Sequence, residues 1–126
     1  MPTIKVLIVD DNAKFIHSVK KILHKEQDIE VIGEAREGHE AILKTKELKQ
    51  DIVLMDLRMP EMGGIEATRR ISQIMPETKI IILTICDIDE YREAATAAGA
   101  DDYIIKKSMN EELIPAIRNA FEPKHA

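Results

Sequence analysis

Four short apolar runs, each followed by a polar residue, constrain the fold of this sequence most. Each run has the length of one strand and is rich in β-branched residues, which is typical of strands buried on both faces. If the strands are parallel, the polar residues meet at one edge of the sheet, where open α/β folds bind their ligands. The runs are residues 6–9, 52–55, 80–83 and 103–105, and the polar residues after them are Asp10 with Asp11, Asp56, Thr84 and Lys106.

Strand-like and helix-like segments alternate five times, which predicts a parallel sheet covered by helices on both faces. A shorter strand is predicted at Glu30–Ala35. In the second helix, the apolar face is assigned to Ile42, Leu43 and the methyl group of Thr45. The fourth helix is rich in alanine and ends at Gly99, so it should pack weakly and be mobile. The predicted helices are residues 12–25, 39–49, 64–75, 89–98 and, from 108 or 110, up to 121.

Composition excludes several classes of function. A chain of 126 residues with a net charge of −5 forms one domain and lacks the basic surface that nonspecific nucleic-acid binding requires. No apolar stretch approaches the ~20 residues of a membrane span, and the amino terminus lacks the apolar core of a signal peptide. The single cysteine, Cys86, permits no internal disulfide. We therefore expect a cytoplasmic domain that itself contacts neither membrane nor nucleic acid.

The polar residues at the strand ends suit a hard cation together with a phosphoryl group. Adjacent carboxylates such as Asp10 and Asp11 repel each other, and a divalent cation such as Mg²⁺, which prefers oxygen ligands, removes that cost. A helix cap would explain one of these two residues but not both together with Asp56. A carboxylate beside a metal is a competent nucleophile toward phosphorus. The Thr84 hydroxyl and the Lys106 ammonium group suit phosphoryl oxygens.

Three other classes of protein share parts of this pattern. A phosphatase of the haloacid dehalogenase class would need a second aspartate two residues after Asp56, where this chain has Arg58. A flavodoxin-like electron carrier would have a Ser/Thr/Gly phosphate loop after the first strand, where this chain has acidic residues and Asn12. A nucleotide-binding enzyme would need a glycine-rich loop with Lys-Ser/Thr, which the sequence lacks. These alternatives are disfavoured.

The motifs match one family along essentially the whole chain. They are Val9-Asp10-Asp11, the segment from Met55 to Pro60, Leu83-Thr84, and the segment from Gly99 to Tyr103 that leads to Lys106. On these motifs the chain resembles the receiver domain of bacterial two-component response regulators. The resemblance implies a single receiver domain over residues 1–126. It also implies an α/β, flavodoxin-like (βα)5 fold with a doubly wound five-stranded parallel sheet of strand order 2-1-3-4-5.

The resemblance also implies the chemistry of the site. Asp56 would accept a phosphoryl group from a sensor histidine kinase. Asp11, Asp56 and the backbone carbonyl of Arg58 would bind Mg²⁺, with Asp10 acting through water. The protein would then be no enzyme beyond self-catalysed phosphorylation and dephosphorylation of its own aspartate.

Further residues would read the phosphorylated state. Lys106 would pair with the phosphate, while Thr84 would move toward it and Tyr103 would turn inward. Phosphorylation would promote a homodimer. The side chains expected at the rim of the pocket, where they would tune dephosphorylation, are those of Arg58, Ile85 and Cys86.

Two departures from the general family pattern narrow the resemblance. Many receivers have proline after the lysine, where this chain has Lys107, and Ile85 is bulky where receivers usually have a small residue. With residues 31–35 and 103–108, these features resemble the nitrate-response (NarL/LuxR-type) transcriptional regulators, which continue into a helix-turn-helix DNA-binding domain. We expect that domain in the full-length protein, beyond this sequence. The alternative is a stand-alone receiver that relays phosphate or binds a protein partner.

Overall fold

The computed structural model describes residues 3–125, with side chains as far as residue 122. Residues 1, 2 and 126 of the expected domain lie outside this described part. A single turn of 3-10 helix, Lys106–Ser108, joins the last strand to the last helix. The elements are β1 Ile4–Val9, α1 Ala13–His24, β2 Ile29–Ala35, α2 Gly38–Leu48, β3 Ile52–Met55, α3 Gly64–Ile74, β4 Lys79–Thr84, α4 Asp89–Ala98, β5 Asp102–Ile105 and α5 Met109–His125.

The five strands form one parallel sheet in the order β2-β1-β3-β4-β5, which confirms the predicted fold class. The register places the strand ends side by side. Val9 lies opposite Met55, and Met55 lies opposite Ile82. Since all strands run the same way, the residues that follow β1, β3, β4 and β5 share one edge of the sheet.

Two apolar layers enclose the sheet, because successive residues of a strand point to opposite faces. In β1, Val6 and Ile8 face the layer made with α1 and α5, whereas Leu7 and Val9 face the layer made with α2, α3 and α4. All four are essentially inaccessible to solvent. Burial of apolar surface on both faces stabilises the sheet at roughly 25 cal/mol per Å².

The first helix, predicted over residues 12–25, spans Ala13–His24 and is preceded by a capping residue. The side chain of Asn12 accepts hydrogen bonds from the backbone N–H groups of Lys14 and Phe15, at 3.0 and 3.1 Å, and so caps α1. The helix then buries Ile16 and Val19 against the sheet. The acidic residues after β1 are thus held between a strand end and a capped helix.

The strand β2 differs from its prediction. It spans Ile29–Ala35 and is the longest of the five, where the sequence predicts a shorter strand starting one residue later. The register shifts between Val6 and Leu7 of β1, and this irregularity leaves Ile32 without an opposite residue. One extra residue in the edge strand therefore lengthens it.

The apolar face predicted for α2 is wrong at Leu43, whose side chain is 60% exposed. The buried residues are Ala41, Thr45 and Gly38. A methyl group on Gly38 would lie 2.8 Å from Met62, so α2 approaches the β3–α3 segment closely. Close approach favours small residues on the inner face, which leaves the larger Leu43 outside.

The remaining helices begin at or within one residue of the predicted positions, but α5 extends to His125, beyond its predicted end at residue 121. The bounds of α4 are those predicted, it buries only Ala95 and Ala98, and Gly99 ends it with a φ of 116°. The last helix is continuous through Pro115. No helix within residues 3–125 combines the length and the apolar character that a membrane span requires.

Candidate functional site

The structure brings the three predicted carboxylates together at the carboxyl edge of the sheet. Carboxylate oxygens of Asp10, Asp11 and Asp56 all lie within 4.8 Å of one another. The backbone N–H of Asp56 donates to the carbonyl of Val9 at 2.9 Å, which holds the end of β3 beside the end of β1. Three carboxylates whose oxygens lie this close together fit a hard divalent cation such as Mg²⁺.

Asp10 is already bonded through both carboxylate oxygens. Its Oδ1 accepts a hydrogen bond from the backbone N–H of Asn12 at 2.9 Å, and its Oδ2 accepts one from Nζ of Lys106 at 2.8 Å. Both Asp10 and the ammonium group are largely shielded from water, with exposed side-chain fractions of 2% and 17%. Asp10 is therefore a fixed part of the site.

Asp56 is buried, and its negative charge is only partly compensated. Burial, the largest cause, and the neighbouring carboxylate of Asp10 together raise the pKa of Asp56 from 3.8 to about 6, against the opposing effect of Lys106. Nζ of Lys106 lies 4.0 Å from Oδ1 of Asp56, beyond hydrogen-bonding distance. A bound cation, or a change in the charge of the carboxylate itself, would therefore relieve the electrostatic cost of burying Asp56.

Thr84 and Tyr103 meet at the segment between β4 and α4. Thr84 is fully buried, and its Oγ1 accepts a hydrogen bond from the backbone N–H of Cys86 at 3.3 Å. The hydroxyl of Tyr103 donates to the carbonyl of the same Cys86 at 2.7 Å. Tyr103 therefore lies inward in this structure, the orientation that the family resemblance associates with phosphorylation. Burial raises the pKa of its phenol.

Two of the three predicted rim residues, Arg58 and Cys86, line a neighbouring cavity, and Ile85 does not. Arg58 and Cys86, with Leu57 and Tyr91, help to line a cavity of about 250 Å³ between the β3–α3 and β4–α4 segments. Arg58 is exposed, Cys86 is buried, and Ile85 is 69% exposed. Their tuning of dephosphorylation, and the role of the Arg58 carbonyl, stay predictions.

Two residues at the site were missed by the sequence analysis. The ring of Phe15 lies 3.8 Å from Nζ of Lys106, and the guanidinium of Arg92 lies 4.4 Å from the ring centre of Tyr103. Phe15 follows the acidic pair within the first turn of α1, and this position was the available signal. Arg92 has no comparable signal in the sequence.

Comparisons with known proteins agree with this geometry. Residues 6–118 match the model of the response regulator receiver domain. The chain is 41% identical, over 93% of its length, to the transcriptional regulatory protein YxjL of Bacillus subtilis, and 42% identical, over 97%, to the response regulator protein VraR of Staphylococcus aureus. It spans 54% and 61% of the lengths of these two relatives.

Solved structures give the same result. A two-component response regulator of the LuxR family from Aurantimonas sp. SI85-9A1 superposes with a TM-score of 0.92 at 33% identity, covering 96% of this chain and 86% of that one. The response regulator domain of Thermotoga maritima CheB superposes with a TM-score of 0.90, also at 33% identity, covering 95% and 97%. With the acidic cluster and the sheet order described above, these matches show that the chain belongs to the response regulator receiver domain family.

Proposed function

We propose that Asp56 accepts a phosphoryl group from a sensor histidine kinase and that this modification switches the domain. The observation that carries the proposal is the state of Asp56. It is buried, its pKa is raised to about 6, and the ammonium group of Lys106 stands 4.0 Å away. Asp10 is bonded at both oxygens and Asp11 is exposed, so Asp56 is the carboxylate placed to form a new bond.

The proposed reaction transfers one phosphoryl group from the kinase histidine to Asp56. An oxygen of the Asp56 carboxylate forms a bond to phosphorus while the P–N bond to the kinase histidine breaks. The imidazole keeps the electron pair of that bond and takes up a proton. Asp11, Asp56 and the carbonyl of Arg58 would hold Mg²⁺, with Asp10 acting through water, and the cation would supply positive charge to the phosphoryl oxygens. Lys106 would give up its bond to Asp10 and contact the same oxygens.

Hydrogen bonds present in the structure support the proposed switch. When the hydroxyl of Thr84 turns toward a phosphoryl group, it gives up its bond from the N–H of Cys86. The carbonyl of Cys86 accepts a hydrogen bond from the hydroxyl of Tyr103. A movement of Thr84 therefore displaces Cys86 and, with it, the start of α4. Because α4 buries only alanine side chains, its displacement costs little packing. Phosphorylation then shifts the population between two arrangements of this segment.

Phosphorylation of Asp56 is tested by intact mass. Incubation with acetyl phosphate and Mg²⁺ should add one phosphoryl group to the wild-type chain and none to Asp56→Asn. Removal of Mg²⁺ with EDTA should abolish the gain, because the carboxylates then repel the incoming anion.

The matched control is Asp89→Asn, which removes an exposed carboxylate from the first turn of α4 and should leave the mass gain unchanged. A gain that persists in Asp56→Asn would place the phosphoacceptor elsewhere. No gain at any Mg²⁺ concentration would contradict the proposal and favour a binding module that works without phosphorylation.

The output is proposed from the relatives. One relative is named a transcriptional regulatory protein, and both are longer than this chain. We therefore propose that the full-length protein continues into a DNA-binding domain and acts in the cytoplasm on transcription. A stand-alone receiver that relays phosphate or binds a protein is the alternative, and the reading frame downstream of the coding sequence distinguishes the two.

A phosphorylation-dependent homodimer is the proposed form of the active state, since a twofold dimer suits palindromic DNA sites. The interface would use α4, β5 and α5, or α1 and α5. Beryllofluoride with Mg²⁺, which mimics the phosphoryl group, should double the mass measured by light scattering, and Asp56→Asn should remain at the mass of one chain. A wild-type mass that stays at one chain contradicts the dimer.

A further inference from the structure

The aromatic ring of Phe15 covers the ammonium group of the site. Phe15 belongs to the first turn of α1, where its backbone N–H is bound by the Asn12 cap. Its ring centre lies 3.8 Å from Nζ of Lys106. That distance is well within the ~6 Å range in which an aromatic face attracts a cation. The cap that starts α1 therefore also fixes the position of the ring.

The ammonium group of Lys106 makes two kinds of contact, one with carboxylates and one with an aromatic ring. Oδ2 of Asp10 holds the ammonium group at 2.8 Å, and Oδ1 of Asp56 lies 4.0 Å away. These are localised negative charges, and the first is a directed hydrogen bond. The ring of Phe15 attracts the cation over the whole of its face and carries no net charge. It can therefore keep contact with an ammonium group that moves between two carboxylates.

We infer that Phe15 is a positioning residue for Lys106. The ring holds the ammonium group over the site while Nζ passes from Asp10 to a phosphoryl group on Asp56. Without the ring, the side chain of Lys106 gains freedom to turn into solvent, and its contact with the phosphoryl oxygens is made less often. This inference rests on the proposed function, because it assigns Phe15 a part in the same phosphoryl transfer.

Phe15 also packs against the apolar layer between the sheet and α1, so a structural role must be separated from positioning. Phe15→Leu keeps an apolar side chain of similar reach and removes the ring. Phe15→Tyr keeps the ring. Ile22→Val is the matched control, because Ile22 is a partly buried residue of the same helix and layer at the end remote from the site.

The contact is tested first on the unphosphorylated protein by NMR. In the wild type, the ring current should shift the ε-methylene protons of Lys106 upfield of those of exposed lysines. Phe15→Tyr and Ile22→Val should keep this shift, and Phe15→Leu should lose it. An unshifted Lys106 signal in the wild type overturns the inference, whether or not the chain can be phosphorylated.

The effect on the reaction is then measured as the rate of phosphorylation by acetyl phosphate with Mg²⁺. Phe15→Leu should slow the reaction by about 3- to 10-fold, the range expected for one partly desolvated cation–π contact. Phe15→Tyr and Ile22→Val should remain within about 2-fold of wild type. In a Lys106→Met background, Phe15→Leu should cause no further loss, because the cation that the ring holds is absent.

The possible outcomes distinguish a failure of the inference about Phe15 from a failure of the proposed function. Equal slowing by Phe15→Leu with and without Lys106 means that the ring acts through packing, and the inference is wrong while the proposed function stands. A full rate in Phe15→Leu also overturns it. If the wild type gains no phosphoryl group, the proposed function fails and the transfer role of Phe15 fails with it. The NMR measurement then still decides whether the ring holds the ammonium group.

Discussion

Replacing Gly64 by alanine should destabilise the folded chain by about 3 kcal/mol, because a side chain there must displace main-chain atoms. A methyl group on Gly64 would lie 2.0 Å from the carbonyl oxygen of Asp56 and 2.9 Å from Cα of Leu57. The backbone at Asp56 has little freedom to move, since its N–H is bonded to Val9 at the end of the sheet. The measurement is urea unfolding, in which Gly64→Ala should have a lower midpoint urea concentration than the wild type.

Gly63→Ala is the matched control. A methyl group on Gly63 would meet only the carbonyl oxygen of Leu57, at 3.3 Å, and the φ of −71° suits alanine. That variant should lie within about 1 kcal/mol of the wild type. The Gly64→Ala variant that still folds should also accept phosphate more slowly, since relief of the clash moves the main chain of Asp56. Equal stability of the two variants would show that the main chain of the β3–α3 segment adjusts easily to a side chain at position 64.

Asp56→Asn should stabilise the metal-free protein at pH 7.5 by about 2 kcal/mol. In the folded chain the pKa of Asp56 is about 6, raised by burial and by Asp10, whereas an unfolded aspartate has a pKa of about 3.9. A rise of this size corresponds to about 3 kcal/mol, which solvent at the rim of the site reduces. Asparagine keeps the shape of the side chain and removes the charge.

The direction of the pH dependence follows from the raised pKa. Below about pH 4 the Asp56 carboxyl group is protonated in both the folded and the unfolded chain, and its charge costs nothing. As pH rises from about 4 to about 6, only the unfolded chain loses the proton readily, so the contribution of Asp56 to stability falls. The advantage of Asp56→Asn should therefore be about half as large at pH 5 as at pH 7.5.

Urea unfolding in EDTA at these two pH values measures the effect. Glu47→Gln, which neutralises an exposed carboxylate on α2, should change stability little at either pH. Adding Mg²⁺ should reduce or reverse the advantage of Asp56→Asn, because a cation bound at the carboxylates stabilises the wild type by mass action. A destabilised Asp56→Asn, or a gain that does not vary with pH, would contradict the electrostatic account of this site.

The sheet and the acidic cluster could be predicted because they depend on local patterns. Apolar runs of strand length end at Asp10 and Asp56 in the sequence, and parallel pairing brings those ends together. The strand order itself came from the family resemblance. Helical spacing alone did not show which side of α2 faces the sheet, and Leu43 was placed wrongly for that reason.

The side-chain arrangement of the site could not be predicted in the same way. The ring of Phe15 in α1 contacts the ammonium group of Lys106, which follows β5. The guanidinium of Arg92 in α4 contacts the ring of Tyr103 in β5. Each contact joins two different elements of the fold. Such contacts depend on the rotamers and on the distances between layers, which periodicity does not encode. The inward position of Tyr103 likewise depends on the carbonyl of Cys86, whose direction is set by the turn after β4.

Because of its position, Cys86 can report on the motion of the segment between β4 and α4. Its thiol is the only one in the sequence and is 6% exposed, on the segment that links Thr84 to Tyr103. Because Cys86 is buried, a thiol reagent should react with it faster when this segment opens, so the labelling rate should rise with opening. Comparing the labelling rates of the phosphorylated and unphosphorylated chains therefore compares the two states of this segment without an engineered cysteine.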